Sequence, residues 1–167
     1  MGKRLGILGA GIAVMALMVG AVSPALGSSG QGAAPTASGQ QTIRVIAVFT
    51  EFDPNIDVGA PGFSLGDMVV FSGNLLRNGR QVGRVGVVCT FVSTADADRV
   101  EAQCPTTAIL PGGQITTQGT IVNRSLNFTL PITGGSGQFQ GAGGQVVSRD
   151  VSTPTQPQVE LTFHLRF

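Results

Sequence analysis

The sequence is poor in the residues on which many functional sites depend. It contains no tryptophan or tyrosine, one lysine, one histidine, two cysteines and only 11% charged residues. The formal net charge is +1, and the nine arginines are spread from Arg4 to Arg166. Because nucleic-acid binding requires clustered Lys and Arg side chains against the phosphates, we expect no nucleic-acid partner.

The titratable residues do not form a recognisable catalytic or metal-binding motif. His164 alternates with apolar neighbours, and no second histidine or acid stands at a ligand spacing from it. We therefore predict an outward-facing histidine, no metal site and no cofactor. Glu51, Asp53 and Asp57 lie within seven residues but lack the Asp-x-Asp-x-Asp-Gly spacing of a calcium loop. That pattern favours a solvated loop end over an acid–base pair or a calcium site.

The N terminus has the three parts of a secretory signal peptide. Lys3 and Arg4 precede an uncharged apolar run over residues 5–22, and the site Ala25-Leu26-Gly27 follows, with small residues at its first and third positions. This order predicts a signal peptide over residues 1–27, cleaved after Gly27, and therefore a secreted, extracellular or cell-envelope protein with no stable membrane insertion after cleavage. The alternative is a retained membrane anchor, since the run has nearly the length needed to span a bilayer.

Residues 28–41 contain no charge and no large apolar side chain, which predicts a flexible linker. Residues 42–167 form the predicted domain, and no helical period occurs in them. The predicted strands are residues 42–51, 67–77, 81–93, 99–110, 114–123, 126–133, 145–151 and 159–167. Asn78-Gly79 favours a type I′ hairpin between the second and third strands. Short turns between successive strands predict an all-β, up-and-down barrel, with a β-sandwich as the alternative.

A glycine-rich segment, residues 133–145, lies between the sixth and seventh predicted strands. Six of its thirteen residues are glycine. It lacks the Gly-Lys-Ser/Thr ending of a phosphate loop and does not open a helix, so nucleotide binding is not expected. Glycine this dense is needed where the backbone takes positive φ or where another element passes close. We predict a packed turn that places Phe139 against the end of the barrel and contacts no substrate.

Several motifs together carry a family resemblance. The sequence reads ITGGSGQFQGAGG at residues 132–144, LGDMVVF at 65–71, RVG at 84–86, RVEA at 99–102 and QG at 118–119. These motifs resemble the signature shared by plant allene oxide cyclases and dirigent proteins, and they cover nearly the whole of residues 42–167. The resemblance implies an eight-stranded antiparallel β-barrel of calycin-like form, with a hydrophobic cavity and frequent assembly as a homotrimer.

The resemblance also implies which residues surround the cavity. The positions of the cyclases' polar pocket groups fall on apolar or small residues here, while Val69 and Phe71 keep the apolar lining. The expected ligand-binding residues are Val48 (at the glutamate position), Thr50 and Gly73 (asparagines), Val92 (cysteine), Ile121 (tyrosine), Val69 and Phe71. With these polar groups missing, the plant cyclase reaction is not expected.

Two candidate catalytic acids remain on the first strand. A slip of one or two residues in its alignment makes Glu51 or Asp53 the pocket acid instead of Val48. Dirigent proteins use aspartates near the barrel mouth, and Asp53 stands closest to that position. The catalytic residues are otherwise unassigned.

Cys89 and Cys104 are the only cysteines, and an exported chain meets an oxidising compartment, so we predict a disulfide. With a two-residue turn at Asp96-Ala97, positions 89 and 104 face each other across a hairpin. A bulge in that hairpin places the two side chains on opposite faces and prevents the bond.

These observations predict a secreted barrel that binds a small apolar molecule. One alternative is an enzyme of the same fold: an isomerase or cyclase, or a dirigent-type protein that directs coupling of an exported metabolite. Another is a structural or interaction protein. A binding barrel requires a continuous apolar cavity, an enzyme a charged group inside the barrel, and a structural barrel a filled interior.

Overall fold

The structure is a computed structural model and describes residues 39–59, 61–96 and 98–167. The predicted signal peptide and residues 28–38 of the predicted linker lie outside the described residues. Within the described ranges, no helix is long and apolar enough to cross a membrane.

Ten β-strands and one short 3-10 helix make up the described chain. The strands are β1 (Gln40–Ile56), β2 (Met68–Arg77), β3 (Arg80–Ser93), β4 (Glu101–Gln103), β5 (Thr106–Leu110), β6 (Gly113–Thr117), β7 (Thr120–Val122), β8 (Phe128–Gly135), β9 (Gly143–Asp150) and β10 (Gln158–Arg166). The predicted hairpin is confirmed, since Asn78 and Gly79 have φ values of 53° and 73° between the paired ends of β2 and β3.

The strands close into an antiparallel barrel. β2 pairs with both β1 and β3, and the order continues through β5, β6, β8, β9 and β10 back to β1. Both β4 and β5 pair with β3, and β7 pairs with β4. The short strands β4 and β5 therefore act as one strand of the barrel, and β6 and β7 act as another. The eight-stranded antiparallel barrel is confirmed, and the sandwich alternative is wrong because the pairing of β2 with β3 closes a single sheet on itself.

The fourth and fifth predicted strands are each interrupted. Pro105 separates β4 from β5, because proline has no N–H for a continuous ladder. Local hydrogen bonds maintain the pairing across the break: the Val88 N–H donates to the Pro105 carbonyl at 3.2 Å, and the Cys104 N–H donates to the Gly119 carbonyl at 2.9 Å.

The glycine-rich segment closes one end of the barrel, as predicted. It runs from the end of β8 through the 3-10 helix Gly137–Phe139 into β9, and the Phe139 side chain is only 3% exposed. A Cβ atom at Gly135 would lie 2.7 Å from the Gln114 carbonyl oxygen and from the Phe139 Cβ, so only glycine fits at that crossing. This closed end lies opposite the end at which β1 finishes and β2 begins.

The barrel interior is filled at the closed end and hollow at the other. The filled half contains buried aliphatic side chains, among them Ile43, Val45, Leu75, Ile115 and Leu165. At the far ends of the same strands, aromatic and smaller apolar residues surround an internal cavity. The fold therefore places this apolar cavity at the open end of the barrel.

Candidate functional site

The candidate site is the cavity inside the open half of the barrel, with a volume of about 460 Å³. Its apolar lining residues are Phe49, Phe52, Val69, Phe71, Val85, Val87, Cys89, Phe91, Ala102, Cys104, Ile121, Leu126, Phe128, Val146, Pro157, Val159, Leu161 and Phe163. Its polar lining residues are Thr50, Thr106, Thr117, Arg124 and Ser125. No carboxylate among the described residues lines it. The volume lies within the range of about 300–1,000 Å³ that is typical of small-molecule pockets.

The lining residues that are also exposed mark the mouth of the cavity. Phe52 lines the cavity and has 63% of its surface exposed, and Thr50, Arg124 and Pro157 are exposed as well. All four lie where β1, β7 and β10 reach the open end of the barrel. A ligand therefore has a route of entry that requires no opening of the sheet.

A β-bulge at Thr50 determines which side chains of β1 enter the cavity. Phe49 pairs with Gly73 and Glu51 pairs with Ser72, so Thr50 is an extra residue on β1. Because successive side chains of a strand alternate between faces, the extra residue reverses the alternation after this point. Phe52, which would otherwise face outward, faces Phe71 inside the barrel with 6.0 Å between ring centroids.

The same bulge directs the candidate acids away from the cavity. Glu51 lies on the outer face, where its Oε2 accepts a hydrogen bond from the Ser72 hydroxyl at 2.6 Å and lies 4.0 Å from an Arg84 nitrogen. Asp53 is exposed and pairs with Val70, one position beyond the inward Phe52–Phe71 pair. Neither Glu51 nor Asp53 lines the cavity.

The residues expected at the cavity from the sequence divide into two groups. Thr50, Val69, Phe71 and Ile121 line it. Val48, Gly73 and Val92 do not, and this placement differs from the sequence-based alignment.

Local backbone geometry explains the three differences. Val48 lies before the bulge and alternates with the inward-facing Ala47 and Phe49. Gly73 has no side chain, and a Cβ there would lie 2.9 Å from the Phe49 Cα because β1 and β2 approach closely at the bulge. Val92 is the extra residue of a second bulge, between Phe91 and Ser93, and is 47% exposed.

The predicted disulfide is confirmed and forms part of the cavity wall. Cys89 and Cys104 are bonded and buried, and both line the cavity. The adjacent Thr90–Gln103 pair shows that Cys89, on β3, and Cys104, immediately after β4, stand directly opposite each other. The hairpin does contain a bulge, at Val92, but between that bulge and Cys89 the pairing is regular, so both side chains stay on the inner face.

A loop that joins β1 to β2 packs at the mouth of the cavity. We call residues 57–67 the mouth loop, of which residue 60 is outside the described chain. Its Phe63 ring packs edge-on against Phe91, a cavity-lining residue, with 4.6 Å between centroids. The guanidinium of Arg124 lies over both rings, 5.0 Å from the Phe63 centroid and 5.1 Å from the Phe91 centroid. This stack joins the mouth loop to the barrel wall.

The Asp67 carboxylate stabilises the conformation of the mouth loop by hydrogen bonds to its backbone. Its side chain is fully buried, and its carboxylate accepts hydrogen bonds from the backbone N–H groups of Val58 at 2.9 Å and Ser64 at 2.8 Å. These two hydrogen bonds lower the pKa of Asp67, against the opposing effect of burial and with help from the Ser64 hydroxyl. The carboxylate is therefore a structural acceptor for the loop and lies outside the cavity lining.

The other two candidates from the sequence, His164 and Asp57, do not line the cavity. His164 is exposed on the outer face of β10, and Asp57 is exposed and accepts a hydrogen bond from the Gly62 N–H at 3.0 Å. In the part of the chain that the structure describes, no three or more His, Cys, Asp or Glu side chains come together as a metal site would require.

Sequence reasoning missed Arg124, Phe91 and Phe63. Phe91 stands at an inward position of β3, and the alternation Val85, Val87, Cys89, Phe91 could have identified it. Arg124 and Phe63 lie in turns, where no periodic pattern indicates the direction of a side chain.

Comparison with known proteins agrees with the barrel geometry. The family model described as allene oxide cyclase barrel like domain matches residues 45–163. Among solved structures, a pyocyanin demethylase is 31% identical with a TM-score of 0.61, and the match covers 72% of this chain and 98% of that one.

Two more distant structures share the fold. A pterocarpan synthase dirigent protein is 15% identical with a TM-score of 0.59, over 77% of this chain and 95% of that one. An exo-specific intermolecular Diels-Alderase is 17% identical with a TM-score of 0.57, over 77% of this chain and 99% of that one. With a cavity-bearing eight-stranded barrel and a family match over most of its length, the chain belongs to the family of allene oxide cyclase barrel-like domains.

Proposed function

We propose that this protein binds a small apolar molecule in the cavity of its barrel. The observation that carries the proposal is the lining: eighteen apolar residues surround about 460 Å³, and the five polar ones include no acid. Burial of apolar ligand surface contributes about 25 cal/mol per Å² before the costs of association are subtracted. A structural barrel would be filled by its own side chains, as the closed half of this barrel is.

The proposal does not include the plant cyclase reaction. The acids that could act in the cavity, Glu51 and Asp53, do not line it, and the Asp67 carboxylate is engaged by backbone N–H groups of the mouth loop. General acid–base catalysis requires a proton-transfer group within hydrogen-bonding reach of the reacting atom. The cavity offers only threonine and serine hydroxyls and the permanently charged Arg124.

A second candidate function is the shaping of a cyclisation by confinement. Several proteins of this fold are named for such chemistry, among them the Diels-Alderase above and a heme-binding cyclase named for a [4 + 2] cycloaddition. Holding two reacting groups in one geometry accelerates a reaction without any acid or base. This candidate predicts that an apolar substrate with a diene and an alkene is converted faster with the protein than in buffer, with an excess of one stereoisomer.

We further propose that the barrel acts outside the cytoplasm. Two observations support this: the signal-like composition of residues 1–27 and the disulfide between Cys89 and Cys104, a bond that persists in oxidising compartments. Assembly as a homotrimer, which the family resemblance implies, stays a prediction.

Binding is tested with the neutral fluorescent probe N-phenyl-1-naphthylamine and a matched pair of variants. Val87 and Val88 are neighbours on β3, but Val87 lines the cavity and Val88 faces outward with 38% of its surface exposed. Val87→Phe reduces the cavity volume, and Val88→Phe makes the same chemical change on the outer face.

The expected result is saturable binding to the wild type and to Val88→Phe, with binding to Val87→Phe weakened at least about tenfold. Thermal unfolding of each variant verifies that the barrel is intact. Equal probe affinity in both variants, or no saturable binding to the wild type, would refute the proposal.

A further inference from the structure

We propose that Arg124 binds an anionic group of the ligand, so that the cavity takes an apolar molecule with a carboxylate or comparable anion at the end nearest the mouth. This inference rests on the proposed function, because it assigns the ligand of the same cavity a charge and an orientation. It assigns Arg124 the role of a specificity-determining residue.

The charge at the cavity is of one sign. Arg124 is the only charged residue among those that line it. Its guanidinium forms no salt bridge with the acids of the described chain, whereas Arg44, Arg84 and Arg99 each lie within 4.0 Å of a glutamate. An anion that enters the mouth therefore meets an unneutralised cation, and no nearby lining carboxylate repels it.

The N–H groups of the Arg124 guanidinium donate no hydrogen bond to another group of the described chain. Its Cζ lies 5.0 Å from the Phe63 centroid and 5.1 Å from the Phe91 centroid, and attraction of a cation to a ring face leaves its N–H groups available to an acceptor. No hydrogen bond within the described residues is donated by this side chain. Guanidinium presents five N–H donors in a fork that matches carboxylate oxygens.

The backbone of Arg124 is held in a conformation that favours glycine. Asn123 and Arg124 have φ values of 55° and 53°, and the Ser125 N–H donates to the Val122 carbonyl at 3.2 Å, which closes a tight turn. A bulky residue in the left-handed region is uncommon and costs about 1–3 kcal/mol, so such a residue points to a constraint on the side chain.

Asn123 fixes this turn to the loop before β4. Its N–H donates to the Val100 carbonyl at 2.7 Å, its Oδ1 accepts from the Val100 N–H at 2.9 Å, and its Nδ2 donates to the Asp98 carbonyl at 2.8 Å. Arg124 thus projects from a turn that Asn123 holds by hydrogen bonds, and its guanidinium lies about 5 Å from the centroids of two rings. A group positioned in this way loses little conformational entropy when it binds an anion.

A purely structural role would have Arg124 only attach the mouth loop to Phe91. The two roles differ in what they predict for a charged and an uncharged ligand of the same shape. We therefore choose 2-naphthoic acid and 2-naphthalenemethanol as probes, which share one ring system and differ in the ionised carboxylate. The variants are Arg124→Gln, Arg124→Lys and, as a matched control for loss of one positive charge, Arg77→Gln at the distant hairpin.

For the wild type, the acid is expected to bind about tenfold more tightly than the alcohol, the lower end of what a hydrogen bond to a charged group contributes. In Arg124→Gln that preference should vanish while the affinity for the alcohol stays within about twofold. Arg124→Lys should keep part of it, and Arg77→Gln all of it. The wild-type preference should also shrink as salt is raised from about 0.05 to about 0.5 M.

The inference is overturned if the wild type binds both probes equally, or if Arg124→Gln loses the acid and the alcohol to the same extent. The second outcome assigns Arg124 a structural role only. Failure of the neutral N-phenyl-1-naphthylamine to bind the wild type overturns the proposed function itself. Binding of that neutral probe without a preference for the acid overturns only the role of Arg124.

Discussion

Removal of the Cys89–Cys104 disulfide should destabilise the barrel by an amount that the structure allows us to work out. The bond joins residues 15 apart in the chain. In the chain-entropy model, closing a loop of this length restricts the unfolded state by about 3 kcal/mol. The double variant Cys89→Ala/Cys104→Ala removes the bond and leaves no unpaired thiol. Both positions are buried and line the apolar cavity, where alanine is also apolar.

The size of the domain converts this free energy into a melting temperature. The entropy of unfolding at the midpoint is about 2.1 cal/mol/K per residue, or about 0.26 kcal/mol/K for residues 42–167. A loss of about 3 kcal/mol therefore lowers the Tm by about 11 °C.

The assay is equilibrium unfolding in urea, with a thermal scan, of the wild type, the wild type with reductant and the double variant. The entropic effect acts on the unfolded chain. If the β3–β4 hairpin is already formed in the transition state, loss of the disulfide should therefore slow refolding by a larger factor than it accelerates unfolding. If the oxidised wild type and the double variant have the same midpoint and the same slope, the disulfide does not restrict the unfolded state and the reasoning fails. The reduced wild type should behave as the double variant does.

Two further perturbations test the closed end and the mouth loop. Gly135→Val should lower the free energy of unfolding by at least about 1–3 kcal/mol, because its side chain would meet the Gln114 carbonyl oxygen; Gly141→Val should cost about 1–3 kcal/mol through its φ of 79°. The control is Gly143→Val, because a Cβ there meets nothing within 4 Å and φ is not in the left-handed region. A loss of probe affinity in Gly135→Val at an unchanged Tm would contradict a purely structural role for the glycine-rich segment. The pKa of Asp67 is lowered in the folded state below the ordinary 3.8, so its contribution to stability is fully present above that value and is lost as the pH falls through the folded pKa. Urea midpoints between about pH 6 and pH 2 should therefore fall less steeply in Asp67→Asn than in the wild type, and identical slopes would show that the carboxylate does not stabilise the loop.

Most of the fold could be predicted from the sequence because alternation and turn residues report local structure. Val159, Leu161, Phe163 and Leu165 alternate with polar residues in β10, and all four are buried. Asn78-Gly79 gave the hairpin because few dipeptides tolerate positive φ at both positions.

The cavity was less predictable because two single-residue bulges reverse the alternation within strands. The extra residues, Thr50 in β1 and Val92 in β3, carry no signature that distinguishes them from regular strand positions. Val48, Gly73 and Val92, which were expected at the cavity, do not line it, and all three lie at or next to these bulges. Arg124 was unpredictable for another reason: its direction is set by a turn whose geometry depends on hydrogen bonds from Asn123 to a distant loop.

Native mass spectrometry tests the central claim most directly, because it counts ligand molecules on the folded protein. After incubation with N-phenyl-1-naphthylamine, the wild type and Val88→Phe should each carry one probe molecule per chain. Val87→Phe, whose larger side chain reduces the cavity volume, should carry markedly less probe at the same concentration. A wild type that stays empty, or a Val87→Phe variant that carries as much probe as Val88→Phe does, would contradict the claim that the barrel binds a small apolar molecule in its cavity.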